Sequence, residues 1–145
     1  MTRIIEVRKL DIAVEYLDAA MQMYIDRRNS FCAIHLAGAA AELFDAHLPK
    51  SMRMSEIAWK CQKALFLESG NGTPSNKKIN EVVNGPKNSI KHMDDSDERT
   101  VAIDPISEAE WYIDNALISF EKLNLTKTPT AWKYQDYRNA EMRPT

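Results

Sequence analysis

Apolar residues near the start of this chain recur at alternating intervals of three and four: Val7, Leu10, Val14, Leu17, Met21 and Tyr24. An α-helix turns every ~3.6 residues, so this spacing lines the side chains along one face. Such a stripe must be covered by another element. The rest of the chain supplies partners of the same kind. Ile34, Ala37, Ala41, Phe44 and Leu48 mark a second face, with Asn29 or Ser30 placed to cap it and Pro49 to end it. Ile106, Ala109, Ile113, Leu117, Phe120 and Leu123 mark a third, behind an Asp104 cap and Pro105 at the first helical position.

Between these lie weaker signals. Ile57, Cys61, Ala64 and Leu65 suggest a helix beginning near Ser55. The loop from Ser69 to Pro74 is polar and turn-rich, and Gly70 suits a helix C-terminus. Ile79, Val82 and Val83 read as a short helical piece broken at Asn84-Gly85, with Pro86 opening another. Ala37-Gly38-Ala39-Ala40-Ala41 is small on every side, which lets a neighbour approach closely and makes that helix central. Only four glycines occur in 145 residues, against the frequent tight turns of an all-β chain. The expected fold is all-α: an antiparallel four-helix up-and-down bundle with an additional short helix.

Periodicity vanishes after Thr126, and Thr128-Pro129 argues against a continued helix. We therefore divide the chain into a bundle, 1–125, and a tail, 126–145. The tail interleaves Trp132, Tyr134 and Tyr137 with charge, and is expected to dock on its own or a partner subunit. The formal net charge of −2 provides no global field for nucleic acid, so any such contact needs a local patch. No uncharged run approaches the ~18 residues of a membrane span. The N-terminus meets Glu6 and Arg8 without an apolar leader, so no signal peptide is expected. Cys32 and Cys61 lack metal-type spacing and read as buried reduced thiols of a cytoplasmic protein.

One short segment concentrates chemistry: Lys87-Asn88-Ser89-Ile90-Lys91-His92, opened by Gly85-Pro86. On a helix, at ~100° per residue, Asn88 and His92 lie close together and nearly opposite Ile90, with Lys87 and Lys91 between. Histidine transfers protons near neutral pH. Lysine neutralises phosphate oxygens, and an asparagine amide supplies a fixed hydrogen bond. Those are the parts that metal-free RNA cleavage requires, and the 2′-hydroxyl confines such a site to RNA.

The chain resembles a HEPN domain (higher eukaryote and prokaryote nucleotide-binding) over about residues 5–124. Ala33 to Phe44 is similar to that family's small-residue-rich second helix with its acidic residue. Lys87-Asn88-Ser89-Ile90-Lys91-His92 matches the spacing of the family's Arg-Asn-x-x-x-His, with lysine in place of arginine. The resemblance implies a homodimeric, metal-independent endoribonuclease without cofactor, of toxin, defence or RNA-processing type. His92 would be the catalytic imidazole, Asn88 the orienting amide, Lys87 the phosphate contact and Glu42 the acidic group that positions them. Lys91 and His35 would add substrate contacts in the same cleft. It also implies an alternative, a catalytically inactive module that binds a nucleotide or an antitoxin-like or regulatory protein partner.

Two further readings come from the residues alone. His35, Glu42 and Asp45 share a helix face and would allow a metal-binding bundle, although the Glu-x-x-His pairs of di-iron bundles are absent and His35 reads better as a packed or hydrogen-bonded histidine. His47 suits the negative end of its helix. Asp94-Asp95-Ser96-Asp97-Glu98 lacks the turn glycine of a calcium loop and reads as a solvated loop.

Overall fold

The computed structural model describes residues 3–70, 72–91 and 100–144, with the side chains of Pro86, Ser89 and Lys91 excepted. Among these described residues six α-helices follow in order: α1 (Lys9–Ile25), α2 (Ser30–Ala46), α3 (Met54–Glu68), α4 (Asn76–Lys91), α5 (Pro105–Lys122) and α6 (Pro129–Glu141). A single 3-10 turn, Lys50–Met52, leads into α3. No strand occurs among the described residues, and the chain is all-α.

Helix α2 is the central element. It packs against α1 on one side and α5 on the other, and touches α3 and α4 as well. Ala33, Ala37 and Ala40 are fully buried and let these neighbours close in, while Ile34 and Phe44 fill the core. Leu17, Met21 and Tyr24 of α1 and Ile113 and Phe120 of α5 complete it. Each such side chain contributes about 1.5–3 kcal/mol on leaving water. Phe44 and Phe120 meet edge to face with ring centroids 5.8 Å apart, the arrangement aromatic quadrupoles favour.

Local chemistry sets the ends. Asp104 accepts from the backbone N–H groups of Ile106 and Ser107 at 3.1 and 3.2 Å, which caps α5. The end of α1 is closed by N–H groups of Arg27 and Arg28, which donate to the carbonyls of Tyr24 and Met23. That closure places Arg27 in the left-handed region at φ 54°, a position that usually takes glycine.

Several elements differ from the sequence expectation. Val7 lies before α1 and is exposed, because the helix begins at Lys9. The α3 stripe is not a core stripe: α3 has no buried residue, and Cys61, Ala64 and Leu65 are all exposed. Both cysteines are exposed free thiols and not buried ones. The segment from Ile79 is no short piece. Helix α4 runs unbroken for 16 residues through Gly85-Pro86, because packing against α2 and α3 overrides the local preference.

The segment 126–145 contains α6. Thr128-Pro129 does stop the preceding chain, and the same pair starts a new helix: Thr128 Oγ1 accepts from the Ala131 N–H at 3.1 Å, and Pro129 takes the first position. Helix α6 packs on α1, with Ala131 and Tyr134 buried. Tyr24 meets the rings of Tyr134 and Tyr137 edge-on, at 5.4 and 6.0 Å. Arg138 adds ion pairs to Glu110 and Asp114 of α5. No helix among the described residues is long and apolar enough to cross a membrane.

Candidate functional site where α4 crosses α2

Because α4 is continuous, its rotation is fixed by Ile79, which is fully buried, and by Ile90, which packs on the core. Lys87 then lies about 60° from Ile90 around the helix, and Asn88 about 160°. Asn88 is exposed, as expected from that rotation. Lys87 is not. Its side chain is 8% accessible, and its ammonium rests on Oε1 of Glu42.

The sequence of α2 makes this possible. Gly38 precedes Glu42 by one turn, and a Cβ at Gly38 would lie 2.5 Å from the Cδ of Lys87. Only a glycine leaves room for the lysine stem. The Tyr112 hydroxyl of α5 accepts from the Lys87 backbone N–H at 3.4 Å. Burial pushes that phenol up to about 12; the Lys87 N–H opposes the rise, and the Glu108 and Glu42 charges add to it. Beside the pair lies a cavity of about 60 Å³, lined by Glu42, Asp45, Asn84, Lys87, Trp111 and Tyr112 among others. That space suits one or two water molecules rather than a nucleobase.

Asp45, one turn past Ala41, is buried and reaches α5 and the start of α3. Oδ1 accepts from the Ser119 hydroxyl at 2.7 Å and the Met54 N–H at 3.2 Å, and Oδ2 from the Ser55 N–H at 3.0 Å. Two N–H groups at the start of α3 are thus satisfied by a carboxylate from α2.

The structure therefore joins Glu42 to Lys87, and among the described residues it leaves the side chains of Asn88 and His35 exposed. His35 is exposed on α2 and not packed, and has no hydrogen-bond partner among the described residues, against the expectation of a packed or hydrogen-bonded histidine. The metal reading fails on Asp45, whose oxygens are occupied by α3 and Ser119; no group of three His, Cys, Asp or Glu that could hold a metal exists among the described residues. His47 closes α2, with Nδ1 2.7 Å from the Leu43 carbonyl. His92, the side chain of Lys91 and the acidic segment 94–98 lie outside the described residues. Tyr112, Trp111 and Asn84 were not singled out from sequence. Asn84 carried a usable signal, since Asn76, Asn80, Asn84 and Asn88 recur every four residues.

Comparison with protein-family models, with curated proteins and with solved structures finds no match.

Proposed function

We propose that this chain is a HEPN-like protein that cleaves RNA without metal as a homodimer. In this reading α1, α2, α4 and α5 form the HEPN-like four-helix bundle, and α3 and α6 are additions to it. One observation carries the reading: the first residue of the motif, Lys87, is ion-paired to the acidic residue of the small-residue-rich helix, Glu42. That is the pairing a motif helix positioned by α2 requires.

The burial of Lys87 changes its part in the scheme. With its ammonium on Glu42 it holds α4 in register, and the exposed Asn88 is the group free to meet a phosphate oxygen. In the proposed reaction His92 takes the proton of the 2′-hydroxyl, whose oxygen attacks the phosphorus. The 5′-oxygen leaves with a proton from the imidazole of the second copy, giving a 2′,3′-cyclic phosphate and a 5′-hydroxyl. The Asn88 amide donates to the phosphate as charge grows on it.

The test is cleavage of mixed single-stranded RNA in chelator. Wild type should cut, and His92→Ala should lose roughly 10²–10⁴-fold in rate. Asn88→Ala should also slow cleavage. Absence of cleavage by wild type ends the nuclease reading.

The same burial favours a second reading, an inactive nucleotide- or protein-binding module. Its observation is that the Lys87 charge is taken up inside the protein. Nucleotide or partner binding without turnover, unchanged by His92→Ala, would select it.

A further inference from the structure

A groove of about 410 Å³ lies where α4 faces the 3-10 turn and the first half of α3, lined chiefly by Lys50, Glu56, Trp59, Asn76, Asn80 and Asn84. Its volume lies in the ~300–1,000 Å³ range of ligand sites. We infer that this groove holds a nucleobase of single-stranded RNA and feeds the strand toward Asn88. The inference deepens the RNA reading above and depends on it for the ligand class.

Three observations support it. The asparagines at 76, 80 and 84 follow one another every turn along α4, so three carboxamides face one wall. Each carboxamide both donates and accepts, which matches the edge of a base. Among the described residues no side-chain hydrogen bond uses the amides of Asn80 or Asn84. The opposite wall carries Trp59, half-buried and held by its helix, with the Lys63 ammonium 5.2 Å from its ring centroid. An indole in such a wall provides a stacking surface that accepts any base.

Charge points the same way. Residues 54–91 hold six lysines, one of them Lys87 with its charge taken up by Glu42, and three glutamates, in a chain whose net charge is −2. Lys50 stands in the groove lining itself and Lys77 and Lys78 are exposed at the start of α4, so phosphates have cations to meet; Glu56 is the one carboxylate in the lining. The asparagine stripe ends at Asn88, about 12 Å along the helix from Asn80. A strand leaving the groove reaches the proposed reacting position by following the stripe about 80° around the helix from Asn80.

The experiment is fluorescence anisotropy of a labelled mixed-sequence oligoribonucleotide in chelator and low salt, on full-length protein carrying His92→Ala so that cleavage does not intrude. Trp59→Ala should weaken binding by roughly tenfold, as expected for loss of one stacked base. Trp59→Phe should retain most of the affinity. Asn80→Asp, an isosteric change at an exposed position, should weaken it by roughly fivefold or more by placing a carboxylate against the strand. Equal affinity across the variants overturns the proposal, as does absence of binding by the His92→Ala parent. A shifted monomer–dimer balance in sedimentation with unchanged RNA affinity also overturns it, and marks the groove as a contact between copies. RNA binding that follows this pattern, in a wild-type protein that does not cleave, supports the groove and removes the nuclease reading.

Discussion

Lys87 lies with its stem against Gly38 and its ammonium on the carboxylate of Glu42, so α4 is tied to α2 by a charge that is almost fully enclosed at one end and open at the other. The Lys87 side chain is 8% accessible, and that of Glu42 is 63% accessible. The two partners therefore have unequal stakes. A solvated glutamate loses little when its partner goes, whereas an enclosed ammonium depends on its counter-charge.

Substitution should expose that inequality. Lys87→Met keeps the stem and leaves Glu42 in water, so unfolding free energy should change by less than about 1 kcal/mol. Glu42→Ala strands the ammonium and should cost about 1–2 kcal/mol. Urea denaturation of both variants reads the difference, and a larger loss for Lys87→Met would contradict the geometry.

Gly38 should resist a change that helices normally welcome. Glycine to alanine inside a helix gains about 0.8–1 kcal/mol. Here the new Cβ would meet the Lys87 stem, so Gly38→Ala in the wild-type background should show no gain or a loss of about 1 kcal/mol. In a Lys87→Ala background the same change should be stabilising. A double-mutant cycle measures the coupling, and additive effects would mean that position 38 and the Lys87 stem are not in contact.

Asp45 predicts a stability defect separate from the site. Asp45→Ala leaves the buried Ser119 hydroxyl and two α3 N–H groups without their acceptor, and should cost about 3 kcal/mol. Asp45→Asn retains one acceptor oxygen and should cost about half as much. Chemical denaturation ranks the two, with loss of helical signal from α3 expected first in the alanine variant.

Tyr112 makes a prediction about alkaline pH. Its folded value of about 12 lies above the ordinary 10.0, mainly through burial. A raised folded value means that the stabilising contribution is complete below pH 10 and is lost as pH rises from 10 toward 12. Burial raises Tyr24 and Tyr134 as well, so the protein should weaken progressively across that window. Tyr112→Phe should soften the loss between pH 10 and 12 while changing little at pH 7. Thermal melts at both pH values check this; an identical alkaline decline in the variant would show that Tyr112 is not the titrating group.

The elements that sequence made legible are those whose residues carry their own instructions. Asp104-Pro105 starts α5 because a carboxylate oxygen reaches its own helix's first N–H groups. The stripes of α1, α2 and α5 are core because most of their apolar positions face a partner helix. Helix α3 misled for the opposite reason: its apolar residues keep helical spacing, yet its neighbours cover Ile57 only in part and leave Cys61, Ala64 and Leu65 exposed. Gly85-Pro86 reads locally as a break, but α4 is held on both sides by α2 and α3. In the candidate site, the motif spacing and the acidic residue at 42 were readable. That Lys87 turns inward was not, since it depends on a glycine 49 positions earlier in the chain.

By itself the sequence determined that this protein is helical and where its principal helices lie. These follow from periodicity, caps and residue type, which act over a few positions of chain. Only the tertiary structure decided which side chains meet: Lys87 with Glu42, Asp45 with the start of α3, and Tyr24 with α6. Such pairings depend on how helices distant in sequence are rotated against one another. That rotation is set by the packing of the whole core, which no local pattern encodes.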